Sequence, residues 1–145
     1  YQAVIEARQG LALAAQLSSD AEAAREARDQ MATDSGAGHY ADAVRAVIAA
    51  GVASFDGDGA VALARYHDAI VEFTACGARF YAALAKLVAL ARLPDEPSID
   101  DWADEARERF EAVKSPALLE RLDEVVAGRG RAPTRSDARV DQAVS

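Results

Sequence analysis

Apolar or small side chains return in this chain with a period of 35 residues, and that recurrence limits the fold more than any other feature. The spacing i, i+3, i+4, i+7 is carried by Leu11/Ala14/Ala15/Ser18, by Ala46/Ala49/Ala50/Ala53 and by Tyr81/Leu84/Ala85/Val88. A second helical spacing follows each: Ala27 with Met31, Ala62 with Tyr66 and Ala69, and, after a nine-residue insertion, Ala106 with Phe110 and Val113. A period of this size predicts stacked helical hairpins, each burying its apolar face only against its neighbours. Small residues at the repeated positions, Ala50 and Ala85 above all, predict buried sites where helices approach closely.

The rest of the chain fits one domain of that kind. Hydrophobic residues make up 51% of 145 residues, and no apolar run is long enough for a membrane span. Tyr1 already lies within a helical run, so the chain reads as a piece of a longer protein. A single cysteine excludes an internal disulfide, which favours the reducing cytoplasm. Charge disfavours nucleic acid: residues 1–128 hold 12 Lys/Arg against 22 Asp/Glu, net −10, while 129–145 hold 4 against 2. A body so acidic repels a phosphate backbone.

Seven helices are predicted. The first ends near Leu17, and Ser19 with Glu22 offers a capping box for a second over 20–33. The third spans 39–55, and the turn Asp56-Gly57-Asp58-Gly59 leads into a fourth over 59–75. Gly77 reads as a left-handed helix end before a fifth over 78–92. Ser98 is expected to cap a sixth over 98–114, and Ser115-Pro116 to start a seventh over 116–127. Residues 1–128 thus form the helical domain, and 129–145, rich in Gly, Pro, Ser and Arg, read as a flexible polar tail.

Tyr81-Leu84-Ala85-Val88 and Ala62-Tyr66-Ala69 resemble the signature of the tetratricopeptide repeats, with the first two hairpins replacing large residues by alanine or leucine. The resemblance implies an all-α, right-handed superhelical stack of about three antiparallel hairpins plus a C-terminal capping helix. Over 57–127, the stretches Cys76-Gly77-Ala78-Arg79-Phe80, Ala106-Arg107-Glu108-Arg109-Phe110 and Pro116-Ala117-Leu118-Leu119-Glu120-Arg121-Leu122 resemble the closing repeats of large bacterial regulators. Those proteins join an ATPase module, and often a class III adenylate or guanylate cyclase or a helix-turn-helix domain, to a repeat array. What the resemblance implies is a non-catalytic protein-interaction scaffold, cut from a bacterial signalling or transcriptional regulator.

Groups that could carry chemistry are few and scattered. Cys76 has no evident base, and a catalytic thiol needs one. His67 lacks a second metal ligand four residues on, where Val71 stands, and reads as a solvated face residue; His39 has no obvious partner. The acids between Asp95 and Glu111 lack the alternating pattern of a calcium loop. Trp102 is expected to staple the long connection to the core. No catalytic residue, metal or cofactor is expected. The competing class, an α-helical bundle acting as a small-ligand sensor or enzyme, would need His67, Cys76, Tyr40, Tyr66 and Tyr81 to converge on one pocket.

By the resemblance, the first helix of each hairpin lines a concave groove. Its partner-binding residues would be Gln9, Gln16, Val44, Val47, Ser54, Arg79, Ala82 and Lys86, with Ala12, Ser19 and Gly51 beside them. The cations Arg79 and Lys86 call for an acidic protein or peptide segment, or another domain of the same protein. The carboxylate clamp of chaperone-binding members needs asparagines, and this chain has none. Apolar residues of the first hairpin (Val4, Ile5, Leu11) are expected to support a homodimer through that hairpin.

Overall fold

The structure, a computed structural model, describes residues 13–32 and 38–129. Among these every regular element is helical: α1 (13–17), α2 (Ala21–Ala32), α3 (His39–Phe55), α4 (Gly59–Ala75), α5 (Arg79–Arg92), α6 (Trp102–Ala112) and α7 (116–129). A 3-10 turn, Pro97–Ile99, precedes α6. The all-α class is therefore observed. Among the described residues no helix is long and apolar enough to cross a membrane.

One turn recurs at four helix junctions. At α1/α2, α3/α4, α4/α5 and α6/α7 the chain makes the same pair of backbone bonds: Asp20 N to Ala15 O with Ser19 N to Gln16 O, then Asp58/Ala53 with Gly57/Ser54, Ala78/Phe73 with Gly77/Thr74, and Ser115/Phe110 with Lys114/Glu111. Each is a Schellman closure, which needs a left-handed residue just past the helix. That residue is Gly57 (φ 81°) and Gly77 (φ 76°) at two junctions, but Ser19 (φ 60°) and Lys114 (φ 55°) at the others. The residue that completes each turn starts the next helix. Asp20 accepts from Ala23 N (3.0 Å), Asp58 from Val61 N (3.2 Å) and Ser115 from Leu118 N (3.4 Å). The expected capping role of Ser19 thus passes to Asp20, because Ser19 is taken up by the left-handed turn.

Such short turns lay each helix beside the one before it, and α2 through α6 pack consecutively. Alanine decides how closely. Ala50, Ala62, Ala69, Ala85 and Ala106 have no exposed surface, so α3, α4, α5 and α6 meet through small side chains backed by Val47, Phe73, Leu87 and Phe110. At one end an aromatic series runs Tyr40, Phe73, Tyr81, Phe80, Phe110, with successive ring centroids 5.7–6.2 Å apart. Trp102 is half-buried against this core, where it pins the start of α6 as the sequence suggests.

The sixth helix begins later than expected. It starts at Trp102 behind Asp101, with no side-chain cap bond, because Ser98 lies in the preceding 3-10 turn, which Glu96 caps: its carboxylate accepts both the Ser98 amide (3.2 Å) and the Ser98 hydroxyl (2.6 Å). These two bonds hold the Glu96 pKa below the ordinary carboxylate value. The last helix, conversely, runs on to Arg129, which is only 8% exposed. Its guanidinium donates to Leu90 O (2.9 Å), Leu93 O (2.5 Å), Glu96 O (2.8 Å) and Asp100 Oδ1 (2.5 Å). It thereby satisfies carbonyls at the end of α5 that no helical amide can reach. Residues beyond 129, and the segment carrying Val4, Ile5 and Leu11, lie outside the described residues.

Two stability tests follow from these contacts. Lys114→Gly relieves a left-handed lysine and should raise the unfolding free energy by about 1 kcal/mol, read from denaturant melts. Arg129→Ala removes bonds to the Leu90, Leu93 and Glu96 carbonyls, leaving the buried Leu90 carbonyl without its donor, and should cost about 2–3 kcal/mol in the same assay.

Candidate functional site

Inside the apolar core sits one polar contact, and it is built on a missing side chain. Gln16 of α1 is 1% exposed; its Nε2 donates to Val47 O on α3 (3.0 Å), and its Oε1 accepts from the Tyr66 hydroxyl on α4 (2.6 Å). It can lie there because residue 51 is glycine. A Cβ on Gly51 would stand 2.3 Å from both Cδ and Nε2 of Gln16. Gly51 costs α3 about 1 kcal/mol relative to alanine, and the niche it opens accommodates a buried amide bonded at both its nitrogen and its oxygen.

From this centre a polar path leads outward. Ser54 donates to Gly51 O (2.6 Å) and accepts from Arg92 Nε (3.0 Å), while Arg92 Nη1 reaches Ser19 Oγ (3.1 Å) and the guanidinium lies 3.7 Å over the Phe55 ring. Burial pushes the Tyr66 phenol far above its ordinary value, with Arg92 and the Ser54 hydroxyl pulling weakly the other way. Tyr66 therefore stays a neutral donor. Such a phenol fixes geometry and does not exchange protons near neutral pH.

Of the residues expected to line a groove, Gln16, Val44 and Val47 sit inside this core, where no partner reaches them without opening the fold. Ser54 is half-buried in the polar path, and Gln9 lies outside the described residues. Arg79, Ala82 and Lys86 do come together. They line a cleft of about 360 Å³ between α5 and α6, floored by Ala82, Ala83 and Ala112 and edged by Arg79, Lys86, Arg109, Glu105 and Glu108. Lys86 pairs with Glu105 at 2.6 Å, whereas Arg79 is exposed and makes no ion pair with another described residue.

The residues that a pocket for chemistry would need are dispersed. Tyr40 and Tyr81 stack edge to face 5.7 Å apart, and Tyr66 is enclosed elsewhere. His67 rests on Trp102 at 4.9 Å, and exposed Cys76 points its sulfur at Phe73 O (3.4 Å). His39 has a partner that the sequence did not suggest: its Nδ1 meets a Glu72 carboxylate across α3 and α4. Among the described residues no three His, Cys, Asp or Glu side chains gather as metal ligands.

Sequence reasoning missed the Gln16–Gly51–Tyr66 centre, though a lone glycine within the alanine-rich run of α3 was its available signal. A larger cleft, about 550 Å³, lies beside Arg129 and is walled by Pro94, Pro97, Ala103 and Val126. Comparison with protein-family models, curated proteins and solved structures finds no match.

Gly51→Ala should destabilise the parent protein by about 1–3 kcal/mol through overpacking. In a Gln16→Ala background the same change should instead stabilise by about 1 kcal/mol, since only helix propensity remains. A double-mutant cycle from denaturant melts reads both signs.

Proposed function

We propose that this chain is a non-catalytic protein-interaction module that receives an acidic segment in the cleft between α5 and α6. The supporting observation is the placing of Arg79, Lys86 and Arg109 around an alanine floor. Small floor residues let a peptide approach the helices closely, and three cations at the rim attract carboxylates out of an otherwise acidic surface. Glu105 and Glu108 line the same cleft, so an incoming acid competes for Lys86 with its resident partner. An exposed pair of that kind stabilises the fold by only about 0–1 kcal/mol, so exchange costs little.

The tetratricopeptide-like reading belongs to the same proposal. Recurrent three-residue junctions and consecutive packing from α2 to α6 are what a hairpin array needs. On that reading the acidic segment comes from another domain of a bacterial regulator or from a separate protein. An exposed thiol at Cys76 suits a reducing cytoplasm.

The test uses an oligoglutamate peptide with interspersed leucines, titrated against the parent and Arg79→Glu/Arg109→Glu proteins at low and high salt. Lys86 is left intact so that the Glu105 pair is kept. The double variant should bind about tenfold more weakly at low salt, mostly through slower association, with an unchanged circular dichroism spectrum. Equal binding of the two proteins at low salt would remove the cleft as the working surface.

A further inference from the structure

The guanidinium of Arg92 is held without a counter-ion. Its bonded partners are two hydroxyls, Ser54 Oγ and Ser19 Oγ, and its face covers the Phe55 ring. Of five N–H groups two are engaged, leaving three with no acceptor among the described residues. Burial lowers its pKa from the ordinary value, an effect that Tyr66 opposes only in part. Seven described arginines pair with a carboxylate: Arg25 with Asp56, Arg28 with Asp29, Arg45 with Asp42, Arg65 with Asp68, Arg107 with Asp123, Arg121 with Glu124 and Arg129 with Asp100. Arg92, like Arg79 and Arg109, forms no ion pair with a described residue, although Asp95 and Glu96 line the same cleft and the Glu96 carboxylate is taken by Ser98.

The group it touches at the surface can become an anion. Ser19 is exposed, and its hydroxyl is turned outward to Arg92 and not back to its own helix. Ser18 beside it behaves differently, donating to Ala14 O (2.8 Å) and Ala15 O (3.3 Å). A second guanidinium stands close by, since Arg121 Nη2 donates to Leu17 O (2.8 Å). Two acids are engaged elsewhere: the Asp20 carboxylate is bound to the Ala23 amide, and Asp56 is bound to Arg25. We infer that Ser19 is a phosphoacceptor, and that its phosphate is received by the Arg92 guanidinium.

The chemistry is ordinary phosphoryl transfer. Ser19 Oγ attacks the γ-phosphorus of a nucleoside triphosphate held by a protein kinase, and the Oγ–P bond forms. The bond from that phosphorus to the β,γ-bridging oxygen breaks, the nucleoside diphosphate leaves, and the hydroxyl proton passes to a base of the kinase. Oγ then remains as the ester oxygen at its present place. The three new oxygens extend toward the unengaged N–H groups of Arg92, where charge-assisted bonds form. Because Ser19 closes α1 onto α2 and Arg92 ends α5, the phosphate would tie the first junction of the chain to its third hairpin.

The experiment has two arms on the whole chain. In the first, an acidophilic serine/threonine kinase and ATP are applied, since Asp20 follows Ser19 directly and Glu22 lies three residues on. Phosphate should appear at Ser19 by peptide mass spectrometry and be lost in Ser19→Ala. In the second, phosphoserine is placed at position 19 by genetic-code expansion, and melting and the phosphorus NMR titration are compared with the unmodified protein and with Arg92→Gln. The phosphoprotein should melt about 3 °C higher. Its phosphate should titrate below the ordinary value of about 6 and return toward it in Arg92→Gln. Labelling confined to Ser18 or absent altogether overturns the inference. So does a phosphoprotein that melts no higher than the parent, or one whose phosphate titrates at or above the ordinary value; both readings use the parent sequence and hold even where Arg92→Gln does not fold.

Discussion

The carboxamide of Gln16, lying where Gly51 has no side chain, is the contact on which the rest of the structure turns. It joins α1 to the backbone of α3 and to the hydroxyl of Tyr66 on α4, so three helices are fixed by one side chain. A buried amide left unpaired would cost about 1–3 kcal/mol, and here the Val47 carbonyl and the Tyr66 hydroxyl bond its two ends. Packed around it are alanines, which offer little area each but let helices come close enough for the larger Tyr66, Phe73, Leu87 and Phe110 to interlock. Specificity in such a core comes from the positions that differ from alanine. Gly51 and Gln16 are the sharpest of these, because the Gln16 side chain fills the space that a Cβ at position 51 would take.

Arginine does the corresponding work at the helix ends. Arg129 answers the terminal carbonyls of α5, Arg121 answers Leu17 O at the end of α1, and Arg92 bridges from the last turn of α5 to Ser19. The guanidinium suits this role because its rigid fork meets several acceptors at once and sits favourably at the negative end of a helix. Two of the three come from α7, whose Leu122 is buried in the same core cluster as Leu13. The last helix is thereby fastened to the first as well as to α5 and, through Arg107 and Asp123 (2.8 Å), to α6.

That fastening bears directly on function. A groove formed by the first helix of each hairpin would need Val44 and Val47 open, and both are sealed. The surface proposed for a partner is instead the α5/α6 cleft, where Arg79 is exposed and Lys86 pairs with Glu105. The interaction reading of the chain thus moves from a concave groove to one side of the third hairpin, and its chemistry, cations that favour an acidic segment, stays the same.

Sequence by itself determined the helical class, the close boundaries of α3, α4 and α5, and the burial of Ala50 and Ala85, because apolar period and glycine position are local properties. It also marked the left-handed end at Gly77, where the residue type announces the backbone. It could not mark Ser19 or Lys114, which adopt the same conformation without being glycine; only the closing bonds to Ala15, Gln16, Phe110 and Glu111 reveal them. Nor could it assign Arg129, which in sequence opens a polar tail and in space lies buried on α7. Partners for Gln16, Arg92, Arg121 and Arg129 lie 29 to 104 residues away in the chain, and no period or propensity carries that information. Tertiary structure decided those contacts, since a polar side chain is buried only where folding brings acceptors from distant helices to meet it.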